Sequence, residues 1–172
     1  MTTYTRRARL SDLDAISTII NHAIAFLAEQ DSPQWQHGDG PSREEFETAI
    51  TEGIAYVQVY EGKVSGIAKL IPGPEGPYEE IDGSWAGDAT QYMTIHRVGM
   101  DGTIRGKGLA QQFLQDLLVI SLEQGFNDIR MDTYPKNVIM QKVMTNLGFD
   151  YRGMVEMPVP HGERMAYQLI LD

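Results

Sequence analysis

The strongest chemical signal in this sequence is a run of six residues, Arg105-Gly106-Lys107-Gly108-Leu109-Ala110. They lie between strand formers and a helical pattern, where the first N–H groups of a helix have no intrahelical partner and partial positive charge gathers. Gly106 and Gly108 let backbone approach a ligand without a Cβ in the way, while Arg105 and Lys107 can add charge-assisted bonds to phosphate oxygens. A pyrophosphate suits this arrangement; an ordinary basic turn is the alternative. The run is not a Walker A loop, which ends in Gly-Lys-Ser/Thr. Nor is it the Gly-x-Gly-x-x-Gly dinucleotide fingerprint with its downstream acid, so ATP and NAD are disfavoured. His96 is the second candidate. An ordinary pKa of about 6.5 suits proton acceptance near neutrality, and strand alternation puts His96 on the same side as Val98. A histidine bonded within the sheet is the competing reading. The absence of cysteine excludes a thiol nucleophile, disulfides and thiolate metal sites. His22, His37, His96 and His161 lack the spacing of metal ligands, and no metal is expected.

The elements that must position these residues are legible as periodic patterns. A short run from Tyr4 to Arg9 precedes Ser11-x-x-Asp14, which resembles a capping box, and Leu13, Ile16, Ile20, Ala23, Ile24 and Leu27 then mark one apolar stripe of a helix. Ser42-x-x-Glu45 opens a second, shorter helix that Gly53 ends. Ala55 to Tyr60 and Lys63 to Leu70 should pair as a hairpin about Glu61-Gly62. From Pro72 to Thr90 there are three Pro, four Gly and five acidic residues without Lys or Arg, which favours a long loop. Gln91 to Met100 reads as a strand, Leu109 to Gln124 as a helix and Asn127 to Thr133 as a strand. Pro135-Lys136-Asn137 opens a helix through Asn146, Gly148 caps it, and strands from Phe149 to Glu156 and Arg164 to Ile170 finish the chain. The expected order is β-α-α-β-β-β-α-β-α-β-β in a single domain, residues 1–172, without internal repeats.

Bulk properties narrow the partners. The chain has 172 residues, 42% of them hydrophobic, enough for one core. The formal net charge is -10 and the isoelectric point near 4.8, which argues against a general nucleic-acid binder, since phosphate neutralisation needs a basic surface. The N-terminal residues lack a signal-peptide core, and no apolar run approaches the roughly 20 residues of a membrane helix. A cytoplasmic protein without membrane or nucleic-acid partners is expected.

Arg105, Gly108 and Ala110 match the Arg/Gln-x-x-Gly-x-Gly/Ala signature of the GNAT acetyltransferases, which this chain resembles. The likeness runs in element order from Tyr4 to Leu171, and Asn137 and Leu147-Gly148-Phe149 match further family positions. It implies a mixed α/β (α+β) fold with a central, mostly antiparallel sheet that splays at a parallel pair, the fourth and fifth strands, flanked by about four helices. It implies acetyl-CoA as co-substrate, with pantetheine pairing along Val98-Gly99-Met100 and Leu109 and Ala110 packing or donating near the pyrophosphate. Gly99 fits close backbone approach or a weak strand position, and Asn137 fits a helix cap, a coenzyme contact or both. The acceptor implied is a small-molecule or peptide amine, and a homodimer is left open.

Acetyl transfer needs a neutral amine, a stabilised oxyanion and a proton for the departing thiolate. The family places backbone N–H near Val98 at the oxyanion, and some branches acetylating arylalkylamines carry a histidine where His96 stands. The usual acid, a tyrosine seven residues after the Asn, is replaced by Met144, and Tyr134 is the substitute candidate, with packing beside Pro135 as the other explanation. Trp35, Tyr78, Trp85 and Tyr92 either line an acceptor pocket or pack in the core. Glu75, Glu79, Glu80, Asp82 and Asp88 either attract a cationic amine or are simply solvated. A non-catalytic acyl-CoA sensor or interaction module with the same fold is the alternative to an enzyme.

Overall fold

The computed structural model describes residues 1–87 and 90–172, so Asp88 lies outside the described residues. The apolar stripe after Ser11 becomes helix α1, Leu13–Glu29, with Leu13, Ile16, Ile19, Ile20 and Leu27 buried. Its start differs from expectation. A 3-10 turn, Leu10–Asp12, comes first, and Asp12 rather than Ser11 organises it. Asp12 Oδ2 accepts the Arg9 N–H at 2.7 Å, and its two oxygens take the Arg6 guanidinium at 2.8 and 3.0 Å. Leu10–Glu29 thus forms 20 helical residues, long and apolar enough to cross a membrane by length and composition alone, although Asp12 and Asp14 interrupt its apolar run. Within the fold its apolar side is used against the sheet, where Ile16, Ile19 and Ile20 join Phe46, Val57, Val59 and Ile67.

Helix α2, Arg43–Thr51, begins where its sequence cap predicts, with Ser42 Oγ accepting the Glu45 N–H at 3.1 Å. Strands β2, Ala55–Tyr60, and β3, Lys63–Pro72, form the expected hairpin, with Tyr60 opposite Lys63 and positive φ at Glu61 and Gly62. The acidic segment is more ordered than a plain loop: it contains a short helix α3, Gly76–Glu79, and a two-residue strand β4, Asp82–Gly83. The remaining elements are strand β5, Met93–Met100; helix α4, Leu109–Glu123; strand β6, Asp128–Thr133; helix α5, Val138–Asn146; and strands β7, Asp150–Glu156, and β8, Glu163–Ile170. Strand β1 is Thr3–Arg7.

These strands make one sheet in the order β1-β2-β3-β5-β6-β8-β7-β4. Every neighbouring pair is antiparallel except β5 and β6. That parallel pair is joined only at Met93↔Ile129 and Thr94↔Arg130, after which the strands part. Helix α4 covers one face through Phe113, Leu114 and Leu117, all without exposed surface. Burying each such side chain contributes about 1.5–3 kcal/mol, so α4 anchors both strands beside the gap.

Candidate active site

The gap between β5 and β6 opens into a cavity of about 1030 Å³ that runs from the 105–110 loop past β5 toward the β7–β8 connection. At one end the sequence chemistry is realised in backbone form. Gly106 and Gly108 have φ of 69° and 68°, and α4 starts directly after Gly108. L-residues with a Cβ pay for that left-handed conformation, which accounts for glycine at both positions. Among the described residues, no backbone N–H from Gly106 to Ala110 has an acceptor. Five adjacent donors at a helix start form an anion cradle. Arg105 leans on this loop, its Nε donating to Gly102 O at 2.9 Å and its guanidinium 5.9 Å from the Phe26 ring centre. Lys107 is exposed at the rim. The helix start is fixed from beneath, since buried Gln58 donates to Leu109 O at 3.0 Å and receives Ser65 Oγ at 3.1 Å.

Val98, Gly99 and Met100 border the cavity along the β5 edge that β6 has left. Gly99 has a packing reason as well: a Cβ there would meet Ile20 and Ile67 side chains at 3.3 Å, so glycine lets α1 sit close. Asn137 also borders the cavity, and its Oδ1 accepts the Met140 N–H at 3.2 Å, so its capping role is realised.

His96 lies on the cavity wall, but the alternation that paired it with Val98 does not hold. Ile67 pairs with Gly99 whereas Lys69 pairs with His96, so β5 carries one extra residue, and Arg97 at φ 56° is the bulge. Ile95, Val98 and Met100 consequently pack against the same α4-side cluster, and His96 turns toward the acidic segment instead. Its Nε2 sits 2.9 and 3.0 Å from the two Glu75 oxygens, and its Nδ1 lies 3.6 Å from Asp132 Oδ2. Glu75 also accepts Thr94 Oγ1, and Asp132 accepts the Tyr78 hydroxyl at 2.6 Å. Burial works against the imidazolium, but the Glu75 hydrogen bond and the Asp132 charge outweigh it and raise the His96 pKa above its ordinary value. Glu75 moves the opposite way: burial opposes ionisation, yet the His96 partnership holds its pKa below the usual carboxylate range. The result is an imidazole held between two carboxylates, able to take and return a proton.

The same wall carries residues that sequence patterns did not single out. Lys69 Nζ and Arg97 Nε share Glu45 Oε1 at 2.6 and 3.0 Å, and the Arg97 guanidinium lies 5.9 Å from the Trp35 ring centre. Arg164 faces the cavity from β8, its Nε 3.9 Å from Asp132 Oδ1. One signal for the bulge was present in the sequence: apolar Met93, Ile95, Val98 and Met100 are spaced two, three and two, which breaks strand alternation at Arg97.

Other expectations are placed elsewhere. Tyr134 does not border the cavity; its hydroxyl donates to Glu163 Oε1 at 2.9 Å, because its ring packs beneath Arg164. Met144 is fully buried in the α4 cluster, so this position presents no group to the cavity. Of the four aromatics, Trp35 borders the cavity, whereas Tyr78, Trp85 and Tyr92 pack with one another behind it. Glu79 accepts the Tyr92 hydroxyl at 2.9 Å, so with Glu75 bound to His96 two of the acidic side chains are engaged inside the protein.

Comparison with known proteins places this geometry. The model of the Acetyltransferase (GNAT) family matches residues 21–149. A GNAT-family acetyltransferase of Streptococcus agalactiae is 37% identical, with 99% of this chain and 96% of that one covered and a TM-score of 0.89. N-acetylaspartate synthetase of Xenopus tropicalis is 23% identical over 129 residues, covering 72% of this chain and 48% of that protein. The chain therefore spans about half the length of this relative. A chain of the NatC complex, solved with Gag peptide and CoA, is 12% identical with a TM-score of 0.71 and full coverage of both chains.

Proposed function

Because this chain belongs to the acetyltransferase (GNAT) family, we propose that it transfers the acetyl group of acetyl-CoA directly to the amine of a small molecule or peptide. The observation that carries this reading is the row of free N–H groups from Gly106 to Ala110, opening into the gap where β5 and β6 part. The cradle would take the pyrophosphate, with Arg105 and Lys107 adding charge, and pantetheine would extend along Val98, Gly99 and Met100. CoA on the NatC relative's fold and the N-acetylated product named for the Xenopus relative support the assignment.

In this reading the acceptor enters as an ammonium ion and loses a proton to neutral His96, whose raised pKa makes it a stronger base. The amine nitrogen then attacks the thioester carbonyl, backbone N–H near Val98 stabilises the oxyanion, and the C–S bond breaks. The leaving thiolate takes a proton from the imidazolium, which returns His96 to its starting state, and the nitrogen of the new amide releases its second, surplus proton to solvent. Glu75 and Asp132 orient the ring and stabilise its charged form between the two transfers. Tyr134 has no part, since its hydroxyl is committed to Glu163.

Isothermal titration with acetyl-CoA, in wild type and in a Gly106→Ala/Gly108→Ala variant, tests the cradle. Saturable binding that the variant loses supports the assignment, and absence of binding to the wild type removes it. Binding without thiol release across a broad amine panel would point instead to an acyl-CoA sensor.

A further inference from the structure

The acceptor end of the cavity holds more cationic donors than its own acidic groups engage. Glu45 alone serves both Lys69 and Arg97. Arg97 spends its Nε on that contact, while among the described residues neither of its terminal nitrogens has an acceptor. Arg164 is 94% buried, and its Nη1 donates to His161 O at 2.7 Å and Glu163 O at 2.8 Å, both uncharged backbone groups. Its nearest carboxylate, Asp132, stands 3.9 Å from Nε and already receives the Tyr78 hydroxyl; among the described residues Nη2 has no partner. Burial is the main influence lowering the Arg164 pKa; the charges of Asp132 and Glu163 oppose it, and the charge of Arg97 adds a smaller push downward. Two like charges sharing a partly dry wall with donors to spare are arranged for an anion that arrives with the ligand.

The position of this pair sets which part of the ligand is anionic. Arg97 follows His96 directly in β5, so the anion would sit beside the group that takes the amine proton. The pyrophosphate cradle lies at the other end of the cavity, past Met100, and has its own donors. We infer that the acceptor is an amine that also carries a carboxylate, an amino acid in its free zwitterionic form, with the carboxylate held by Arg97 and Arg164 and the ammonium facing His96 and Glu75. This deepens the acetyl-transfer reading and rests on it. The planar guanidinium suits a carboxylate in two-pronged geometry, and the bulge at Arg97 aims the side chain into the cavity rather than along the sheet. A purely cationic amine would bring a further positive charge to this wall and leave the free guanidinium nitrogens unpaired.

The test uses the intact enzyme and matched acceptors: a panel of amino acids, their α-amides, and the corresponding decarboxylated amines, followed by thiol release at saturating acetyl-CoA. The expected result is a kcat/KM for the best acids at least about tenfold above that of their amides and decarboxylated amines, because a buried site built for a polar group rejects the analogue lacking it. The Arg97→Met and Arg164→Met variants should each shrink that ratio, chiefly through KM for the acid, with Arg97→Lys restoring part of it. Turnover that favours amides or decarboxylated amines overturns this inference and leaves acetyl transfer standing. Absence of turnover on every acceptor overturns both. The wild-type ratio alone decides the matter if a variant does not fold.

Discussion

Replacing Glu75 with Gln keeps the size and polarity of the side chain beside His96 but removes its charge. In the native site both carboxylate oxygens lie within 3.0 Å of Nε2, and the two side chains are only 22% and 19% exposed, so solvent screens them weakly. A hydrogen bond to a charged group contributes about 1.5–3 kcal/mol. Its loss lowers the His96 pKa, since the charged ring gives up that stabilisation. The sign follows from the native balance: burial pushes the imidazole pKa down, Glu75 and Asp132 push it up, and without Glu75 burial gains ground. If neutral His96 is the base, the acidic limb of the kcat/KM profile in wild type lies above the ordinary histidine value, and in Glu75→Gln it moves to lower pH. The maximal rate should fall as well, since a weaker base drives proton transfer less. The assay is kcat/KM by thiol release from pH 5 to 9, with the His96 ring titrated in parallel by NMR. A limb that stays in place while the ring titration moves would show that His96 is not the base, and a shift to higher pH would refute the electrostatic reasoning itself.

Three further substitutions separate the cradle from the proton chemistry. Gly108→Ala forces a Cβ into the left-handed region at φ 68° and should cost about 1–2 kcal/mol in thermal or denaturant unfolding. Acetyl-CoA affinity should drop about tenfold by calorimetry, the equivalent of 1.4 kcal/mol, as the N–H row is displaced. Tyr134→Phe loses only the bond to Glu163, so denaturant unfolding should register about 0.5–1.5 kcal/mol while kcat changes less than about threefold; a hundredfold fall would restore Tyr134 as the acid. Met144→Tyr places a larger, polar side chain at a fully buried position and should destabilise by about 1–3 kcal/mol without raising kcat. An increase in kcat would mean that the position reaches the cavity after all.

The loop and its neighbours were legible because their signals are local. Two glycines beside basic residues, placed between strand and helix, specify a left-handed turn and free N–H groups whatever surrounds them, and φ of 69° and 68° follow. The helix stripes, the Ser42 cap and the Glu61-Gly62 hairpin rest on the same short-range physics. What escaped was set by pairing between distant strands. A one-residue bulge in β5 turned Arg97 and Val98 away from the places alternation gives them, and only the register against β3 displays it directly. Glu75 looked like one acidic residue among several until α3 brought it against His96, 21 positions later. Ser11 lost the capping role to Asp12, which binds Arg6 as well as the Arg9 N–H. Arg164 carried no motif and acquires its place only when β8 pairs with β6 beside the gap.

The central claim is that this cavity joins an acyl-CoA cradle to an acceptor site across the β5–β6 gap. The most direct measurement is a single-turnover reaction of purified protein with acetyl-CoA and a mixture of amino acids, their amides and simple amines, read by free thiol and by mass spectrometry of the small molecules. Acetyl transfer predicts one thiol released for each acceptor that gains an acetyl group, with both signals lost in His96→Ala. Stoichiometric acetyl-CoA binding with neither thiol nor acetylated product would contradict it.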